Sequence, residues 1–361
     1  MKVLFLTQFG WMGGSSRIQV LQFLPLLQKE GIEAVSRPIY NDWFYKIQMG
    51  LTDVPHLFRK VTLVVFLVWA LLKKIYYTLT AWRFAAVVVQ KETFPASLFF
   101  VLRSTSRKLI YEIDDTIFEI NPFLKRGALE LILLKYQARL CKAMMKRAEI
   151  VVAENEYLAN EARKHNNNVY VLSAPIDTEK FHPLPKKETA TECVVGWIGS
   201  PSTTYMLEEI KSVFKRLGEK NSSIILKTVG ARKDFSIEKM KLVAKNWSSA
   251  EELEDLNSFD IGIMPLNDDP FNRGRLGYKM IQYMAVGVPV IAADVGLNRT
   301  VVNSGQNGYL VKNEDEWVEK IEHLATHPDV RRVMGLQARK DALDQYSLTS
   351  KVKVYLDVLK K

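Results

Sequence analysis

The chain is 361 residues long, 48% hydrophobic and 25% charged, which excludes a disordered or collagen-like chain and fits two domains better than one core. Its net charge is +10, but the excess sits early: residues 1–180 hold 24 Lys and Arg against 16 Asp and Glu, a net +8, and the rest only +2. That asymmetry suits an anionic lipid surface or a nucleic acid equally well on charge alone, and the lack of any zinc-finger or RNP signature argues against nucleic acid.

Cys141 and Cys193 lie far apart without a metal-type or C-x-x-C spacing, so a reduced, cytoplasmic compartment is expected. The N-terminus runs directly into an apolar strand, and no signal peptide is predicted.

Residues 3–7 read as a buried strand, the loop 8–17 (QFGWMGGSSR) follows, and an amphipathic helix is expected over 18–29. Gly10, Gly13 and Gly14 allow close backbone approach but do not fit G-x-G-x-x-G, so NAD binding is a weak reading. Ser15, Ser16 and Arg17 could hold an anionic group at a helix start, or merely close a glycine-rich turn. A second strand is expected at 32–37. The stretch 57–83 contains a twelve-residue apolar run, 61–72, broken only by Thr62 and flanked by Arg59-Lys60 and Lys73-Lys74. Twelve residues are too few to span a bilayer. With Trp69, Tyr76, Tyr77 and Trp82 nearby, the run reads either as an interfacial helix with its lysines toward lipid headgroups or as a buried core helix.

A strand at 85–90 ends in Gln90-Lys91-Glu92, at the carboxyl edge where open α/β sheets bind ligands. The strand 108–113 ends in Asp114-Asp115, two carboxylates that could bind a hydroxyl, act as a base or cap a helix. A basic helix over 129–147, a strand–helix unit from 150 and a strand at 169–172 complete the first half. Residues 184–192 mix charge with no apolar period and are the expected interdomain linker.

The second half opens with a strand at 193–198, the loop Gly199-Ser200-Pro201-Ser202-Thr203-Thr204 and a helix over 205–217. Glycine permits backbone approach and the hydroxyls can cap the helix or bond phosphate oxygens, an anion cradle that is not a P-loop because no G-K-[ST] is present. The strand 224–230 exits through Gly230-Ala231-Arg232, placed to meet a base or sugar. Residues 265–302, PLNDDPFNRGRLGYKMIQYMAVGVPVIAADVGLNRTVV, carry most of the functional signal: a strand at 261–265 leads into a polar loop, 266–277, a helix from Tyr278 to Ala285 and a strand at 288–293. Arg273, Arg275 and Lys279 add full charges to a positively polarised helix start, which suits a diphosphate, and Lys279 and Gln282 share one helix face. An ordinary solvated crossover helix is the plainer alternative. Helices at 315–326, 330–345 and 349–359 end the chain. Strands alternate with helices throughout, which predicts two parallel, helix-covered sheets with a ligand crevice between them.

The GGSSR loop, EIDDTIFE, AENEYLANEA with SAPIDTEKFHP, GWIGSPSTT, and above all YKMIQYMAVGVPVIAADVGLNRTVV with NSGQNGYLV resemble the GT-B glycosyltransferases of family 4 (glycosyl transferases group 1). The resemblance runs through both halves. It implies an α/β GT-B fold, two Rossmann-like parallel-sheet domains facing an interdomain cleft: 1–183 for the acceptor, 193–340 for the nucleotide-sugar donor, and a helical segment 341–361 packing back toward the first. It further implies a hexosyltransferase-type enzyme that moves a sugar from a nucleotide diphosphate to a hydroxyl with retention, without metal or other cofactor. Asp114, Arg273 and Lys279 become the catalytic candidates. Gly199, Ser200, Thr203, Arg232, Arg275 and Gln282 are the donor-binding candidates, and Gly13, Gly14, Arg17, Lys91 and Asp115 the acceptor-binding ones. Two departures stand out: the family's paired glutamates fall at Gly274 and Gln282, and Asp114 stands where many relatives have histidine. The basic, aromatic-flanked 61–72 run points to a lipid-linked saccharide acceptor in surface polysaccharide assembly, at the inner face of a membrane. The competing functions are a nucleotide-sugar hydrolase or epimerase of the same fold and a catalytically inactive sugar-nucleotide-binding scaffold.

Overall fold

The computed structural model describes residues 1–48, 55–119, 127–185, 192–275 and 277–361. They form two compact units, Met1–Pro175 with Lys351–Lys361, and Ile176–Ser350. The expected linker 184–192 falls largely outside the described residues. The expected boundary at 183 lies later than the observed one because 176–183 is bonded to the second unit: the Ile176 amide donates to the Tyr346 carbonyl at 2.7 Å, and Arg339 donates to the carbonyls of Phe181 and Thr178.

Unit 1 runs β1 (Lys2–Leu6), α1 (Gly14–Gln19), α2 (Leu24–Lys29), β2 (Glu33–Ser36), α3 (Asp42–Gln48), α4 (His56–Thr80), β3 (Ala86–Gln90), α5 (Ala96–Thr105), β4 (Leu109–Ile113), α6 (Ala128–Arg147), β5 (Ile150–Ala153), α7 (Glu156–Arg163) and β6 (Val169–Val171). Its sheet is parallel with order β2-β1-β3-β4-β5-β6. β3, β4 and β5 are buried along their whole length, as their unbroken apolar sequences demand of strands covered on both faces. The single helix expected over 18–29 is two helices joined by a 3-10 turn, Leu21–Phe23. Pro25 has no amide hydrogen to continue the first helix and instead opens the second.

Unit 2 runs β7 (Cys193–Ile198), α8 (Tyr205–Glu208), α9 (Lys211–Lys220), β8 (Ile224–Val229), β9 (Lys241–Lys245), α10 (Glu252–Asn257), β10 (Ile261–Met264), α11 (Pro270–Arg273), α12 (Tyr278–Ala285), β11 (Val290–Ala293), α13 (Asn298–Val301), β12 (Gly308–Val311), α14 (Glu314–Thr326) and α15 (Pro328–Tyr346). The last helix, α16 (Leu348–Lys360), carries the chain back to unit 1. The order β12-β11-β10-β7-β8-β9 is a parallel Rossmann sheet whose direction of winding reverses between β7 and β10. α12 is locked onto that reversal point. Gly262 leaves room for the Tyr283 ring, which a Cβ there would meet at 2.3 Å. The Tyr283 hydroxyl accepts from the Ile198 amide at 3.0 Å, at the end of β7. Fully buried aromatics such as Tyr283, Phe259 and Trp197 each contribute about 1.5–3 kcal/mol by leaving water.

Candidate functional site

In open parallel sheets ligands meet the chain where neighbouring loops diverge, beyond the strand ends. In unit 2 those loops follow β7 and β10. The β7 loop departs from the expected helix over 205–217: it is a 3-10 turn at Pro201–Thr203, then α8, a break at Glu209 and Ile210, then α9. Turns this short carry little dipole. Ser200 and Thr203 form a reciprocal cap, the Ser200 amide donating to Thr203 Oγ1 at 3.1 Å, and Ser200 Oγ also meets Ser202 Oγ at 2.9 Å. Their hydroxyls therefore shape the loop. Gly199 lies against it, since a Cβ would come within 2.9 Å of Thr203 Oγ1. Gly230, with φ +79°, brings the β8 exit so close that its Cβ would be 2.3 Å from the Gly199 carbonyl oxygen and 3.2 Å from Trp247 Cβ. The Arg232 amide donates to Thr204 Oγ1 at 2.9 Å, while its guanidinium pairs with Glu208 at 2.9 Å and Asp234 at 3.1 Å.

At the start of α12, Lys279 Nζ stands 4.4 Å from the centroid of the Trp197 ring. Burial, and secondarily the positive charge of Arg275, push its pKa down to about 7. The Arg275 guanidinium lies 5.3 Å from the Phe271 ring and 3.5 Å from the Tyr205 hydroxyl. Arg273 diverges from this pair and forms an exposed ion pair with Asp268 at 2.5 Å. Gln282 is buried, and its Nε2 donates to Glu252 Oε1 at 3.0 Å. A cavity of about 430 Å³ opens at the ends of β10, β11 and β12, lined by Asp268, Asp294, Arg299, Lys312 and Trp317 among others. Of the predicted donor residues none lines it.

In unit 1 the corresponding loops follow β1 and β3. Ser15 Oγ donates to Asp114 Oδ2, and Gln90 Nε2 reaches both Ser15 Oγ at 3.0 Å and Asp114 Oδ2 at 3.3 Å. Ser16 Oγ donates to Gln90 Oε1 at 3.1 Å. Lys91 turns into the left-handed region, φ +59°, placing Nζ 3.2 Å from Asp115 and 3.7 Å from Asp114. Desolvation raises the Asp114 pKa against the pull of Lys91. Glu154, at the end of β5, takes a 2.6 Å hydrogen bond from Gln19 Nε2, and burial followed by repulsion from Asp114 holds its pKa well up. Gly13 packs against Phe9 at the start of α1, Gly14 is the first residue of that helix, and Arg17 donates to the Trp11 carbonyl at 3.3 Å. Asp115 Oδ1 accepts from the Thr116 amide, and neither aspartate caps a helix among the described residues. Ser15 and Gln90, named above as possible ligand contacts but not among the acceptor-binding candidates, join this cluster, and Glu154 joins it unpredicted. Each stands beside a loop that the strand-end rule had already marked.

α4 is a 25-residue helix, twice the length of the apolar run within it. Among the described residues Val64–Arg83 is long and apolar enough to cross a membrane by length and composition. Leu67, Val68, Trp69, Leu72 and Leu79 are each more than half exposed, so the alternative of a buried core helix is overturned. The expectation that lysines point to headgroups is corrected for Lys73 and Lys74, while the side chain of Lys60 lies outside the described residues. Lys73 donates inward to the carbonyls of Pro38 and Ile39, and Lys74 is buried against Glu92 at 2.7 Å.

Residues 193–327 match the family model described as Glycosyl transferases group 1. The trehalose synthase of Pyrococcus horikoshii is 33% identical over 87 residues, 24% of this chain and 21% of that protein. The putative glycosyltransferase EpsD of Bacillus subtilis is 36% identical over 73 residues, 20% of this chain and 19% of that protein. The chain thus matches about a fifth of the length of these curated relatives. Among solved structures, Anabaena Alr3699/HepE in complex with UDP-glucose superposes with TM-score 0.72 at 15% identity, covering 100% of this chain and 99% of that one. Sucrose-phosphate synthase from Thermosynechococcus elongatus gives 0.70 at 14% identity, with 100% and 98% covered. At such identities the likeness speaks for the fold alone, two Rossmann-like sheets of the GT-B kind.

Proposed function

We propose that this chain, whose residues 193–327 belong to the glycosyl transferases group 1 and whose fold is GT-B, is a retaining glycosyltransferase that moves a sugar from a nucleotide diphosphate donor to a hydroxyl of a lipid-linked saccharide. The observation that carries the reading is Lys279 at the uncapped start of α12, with Arg275 beside it and Trp197 beneath. As the glycosidic bond breaks, charge builds on the β-phosphate, and a positively polarised helix start with a desolvated ammonium is a preorganised partner for it. With that charge met by the protein, a metal is not required. The complexes of the structural neighbours, UDP-glucose with HepE and fondaparinux, α-GlcNAc-glycerol and UDP with a TarM mutant, support a nucleotide-diphosphate donor here.

The partly buried Asp114–Ser15–Gln90 network, with Lys91 and Asp115, is the proposed acceptor end, where a carboxylate can orient a sugar hydroxyl and share its proton. The lipid part of the acceptor draws support from α4. Together with Phe100 on α5 and Ile132, Leu133 and Tyr136 on α6, its exposed residues leave much apolar surface uncovered by the described residues, and Arg83, Lys135 and Arg139 stand exposed on the same elements or next to them.

The test is transfer itself: a panel of nucleotide sugars offered with lipid-linked saccharides, and products identified by mass and anomeric configuration. A glycosylated acceptor of retained configuration is expected. Free sugar or an epimer alone would establish the hydrolase or epimerase, and binding without product the inactive scaffold.

A further inference from the structure

Glu252 opens α10 and is only 4% exposed, yet among the described residues no cation pairs with it. Its Oε1 receives two hydrogen bonds, from Gln282 Nε2 at 3.0 Å and from the Trp247 indole Nε1 at 3.1 Å. A carboxylate has about four acceptor sites, and desolvating one without satisfying them is costly. Oε2 receives neither bond. The trio borders the strand-end loops described above: Trp247 Cβ lies against Gly230, and Gly230 lies against Gly199.

The helix face that carries Lys279 also carries Gln282, one turn further in. One of the two amide hydrogens of Gln282 is committed to Glu252, so this uncharged side chain holds the carboxylate in place. The negative charge it supports comes from a different helix. We propose that Glu252 Oε2 binds the ribose hydroxyls of the donor nucleotide, with Gln282 and Trp247 as positioning residues that hold the carboxylate in place. This rests on the nucleotide-diphosphate reading of the site and adds to it the residue that recognises the sugar of the nucleoside. A vicinal diol presents two hydroxyl donors, which one carboxylate can accept, whereas a lone amide oxygen makes the weaker, uncharged contact.

The experiment is calorimetric titration of the full chain with UDP, GDP and ADP, with the 2′,3′-dideoxy analogue of whichever binds tightest, and with inorganic pyrophosphate. The wild type, Glu252→Gln and Gln282→Leu are compared. Losing charge-assisted hydrogen bonds to the ribose predicts a ten- to hundredfold weaker ribonucleotide for Glu252→Gln, about 1.4–2.7 kcal/mol. Dideoxynucleotide and pyrophosphate affinities should not change. Gln282→Leu should weaken the ribonucleotide less than Glu252→Gln does. Should Glu252→Gln fail to fold, the wild type decides alone: at least a tenfold preference for ribo over dideoxy supports the assignment, and equal affinities overturn it. Loss of pyrophosphate binding in step with the ribonucleotide also overturns it, because that would be a general collapse of the site. A wild type that binds no diphosphate at all overturns the nucleotide reading itself, a result distinct from binding without discrimination.

Discussion

The Lys279 ammonium lies 4.4 Å from the centre of the Trp197 ring, so the positive charge at the start of α12 rests on an aromatic face. Trp197 is fully buried on β7, and its ring lies against Gly199. Desolvation brings the lysine to about 7 from its ordinary 10.5. A diphosphate favours the charged form and reverses that shift, so donor binding takes up a proton above neutrality. Diphosphate affinity should therefore fall as pH rises from about 7 to 9, by up to tenfold per unit, and Lys279→Met should bind weakly with no such slope. Transfer by that variant should drop by about 10²–10³-fold. Calorimetry across that range and initial rates at pH 7 measure both, and an unchanged slope in the variant would remove Lys279 from the phosphate site. In the ligand-free protein the sign is opposite. The fold disfavours the ammonium, so stability declines as pH drops from about 10.5 toward 7, and Lys279→Met abolishes the decline.

Gly230→Ala is expected to destabilise unit 2 by about 1–3 kcal/mol. The residue has φ +79°, and the added methyl would meet the Gly199 carbonyl oxygen at 2.3 Å, a backbone atom that no rotamer change can move away. The shift should also displace Trp247 and weaken nucleotide binding. Urea midpoints and a nucleotide titration follow the two effects, and a variant of unaltered stability would contradict the close approach.

Tyr355 on α16 donates its hydroxyl to Glu112 Oε2 at 2.9 Å inside unit 1, with its ring against Phe23 at 5.0 Å. Burial lifts Glu112 to about 8, opposed by the Tyr355 hydrogen bond. The unfolded chain loses this proton near 4.5. Stability from the retained proton is therefore present below about 4.5 and is lost as pH climbs to about 8. Denaturation at pH 5 and pH 9 should show that loss in the wild type and its absence in Glu112→Gln. Tyr355→Phe should cost about 1 kcal/mol.

The α4 surface can be tested without touching the core. Leu67 and Leu71 are 57% and 44% exposed, so Leu67→Glu with Leu71→Glu should leave the thermal midpoint within a degree or two while abolishing sedimentation with anionic vesicles. Retained vesicle binding in the double variant would show that the membrane contact lies elsewhere.

Short apolar runs were enough to place ten of the strands, and those covered on both faces, such as Ile150–Ala153, stood out most because they must be continuously hydrophobic. Two strands left no such trace. β9 is a largely exposed edge with lysine at either end, and β12 is four residues long beside a turn. The strand-end loops and the motif around Met284 located the candidate donor and acceptor sites for the same reason: their position follows from chain order alone. Which side chains meet there did not. Lys73 and Lys74 carry identical charges to any surface lysine, and only packing turns them inward. Nothing in the local run EELED sets Glu252 apart from its acidic neighbours, and its burial against Gln282 and Trp247 depends on contacts 30 and 5 residues away. Periodicity reports local burial, whereas the partner of a buried charge is chosen by tertiary packing.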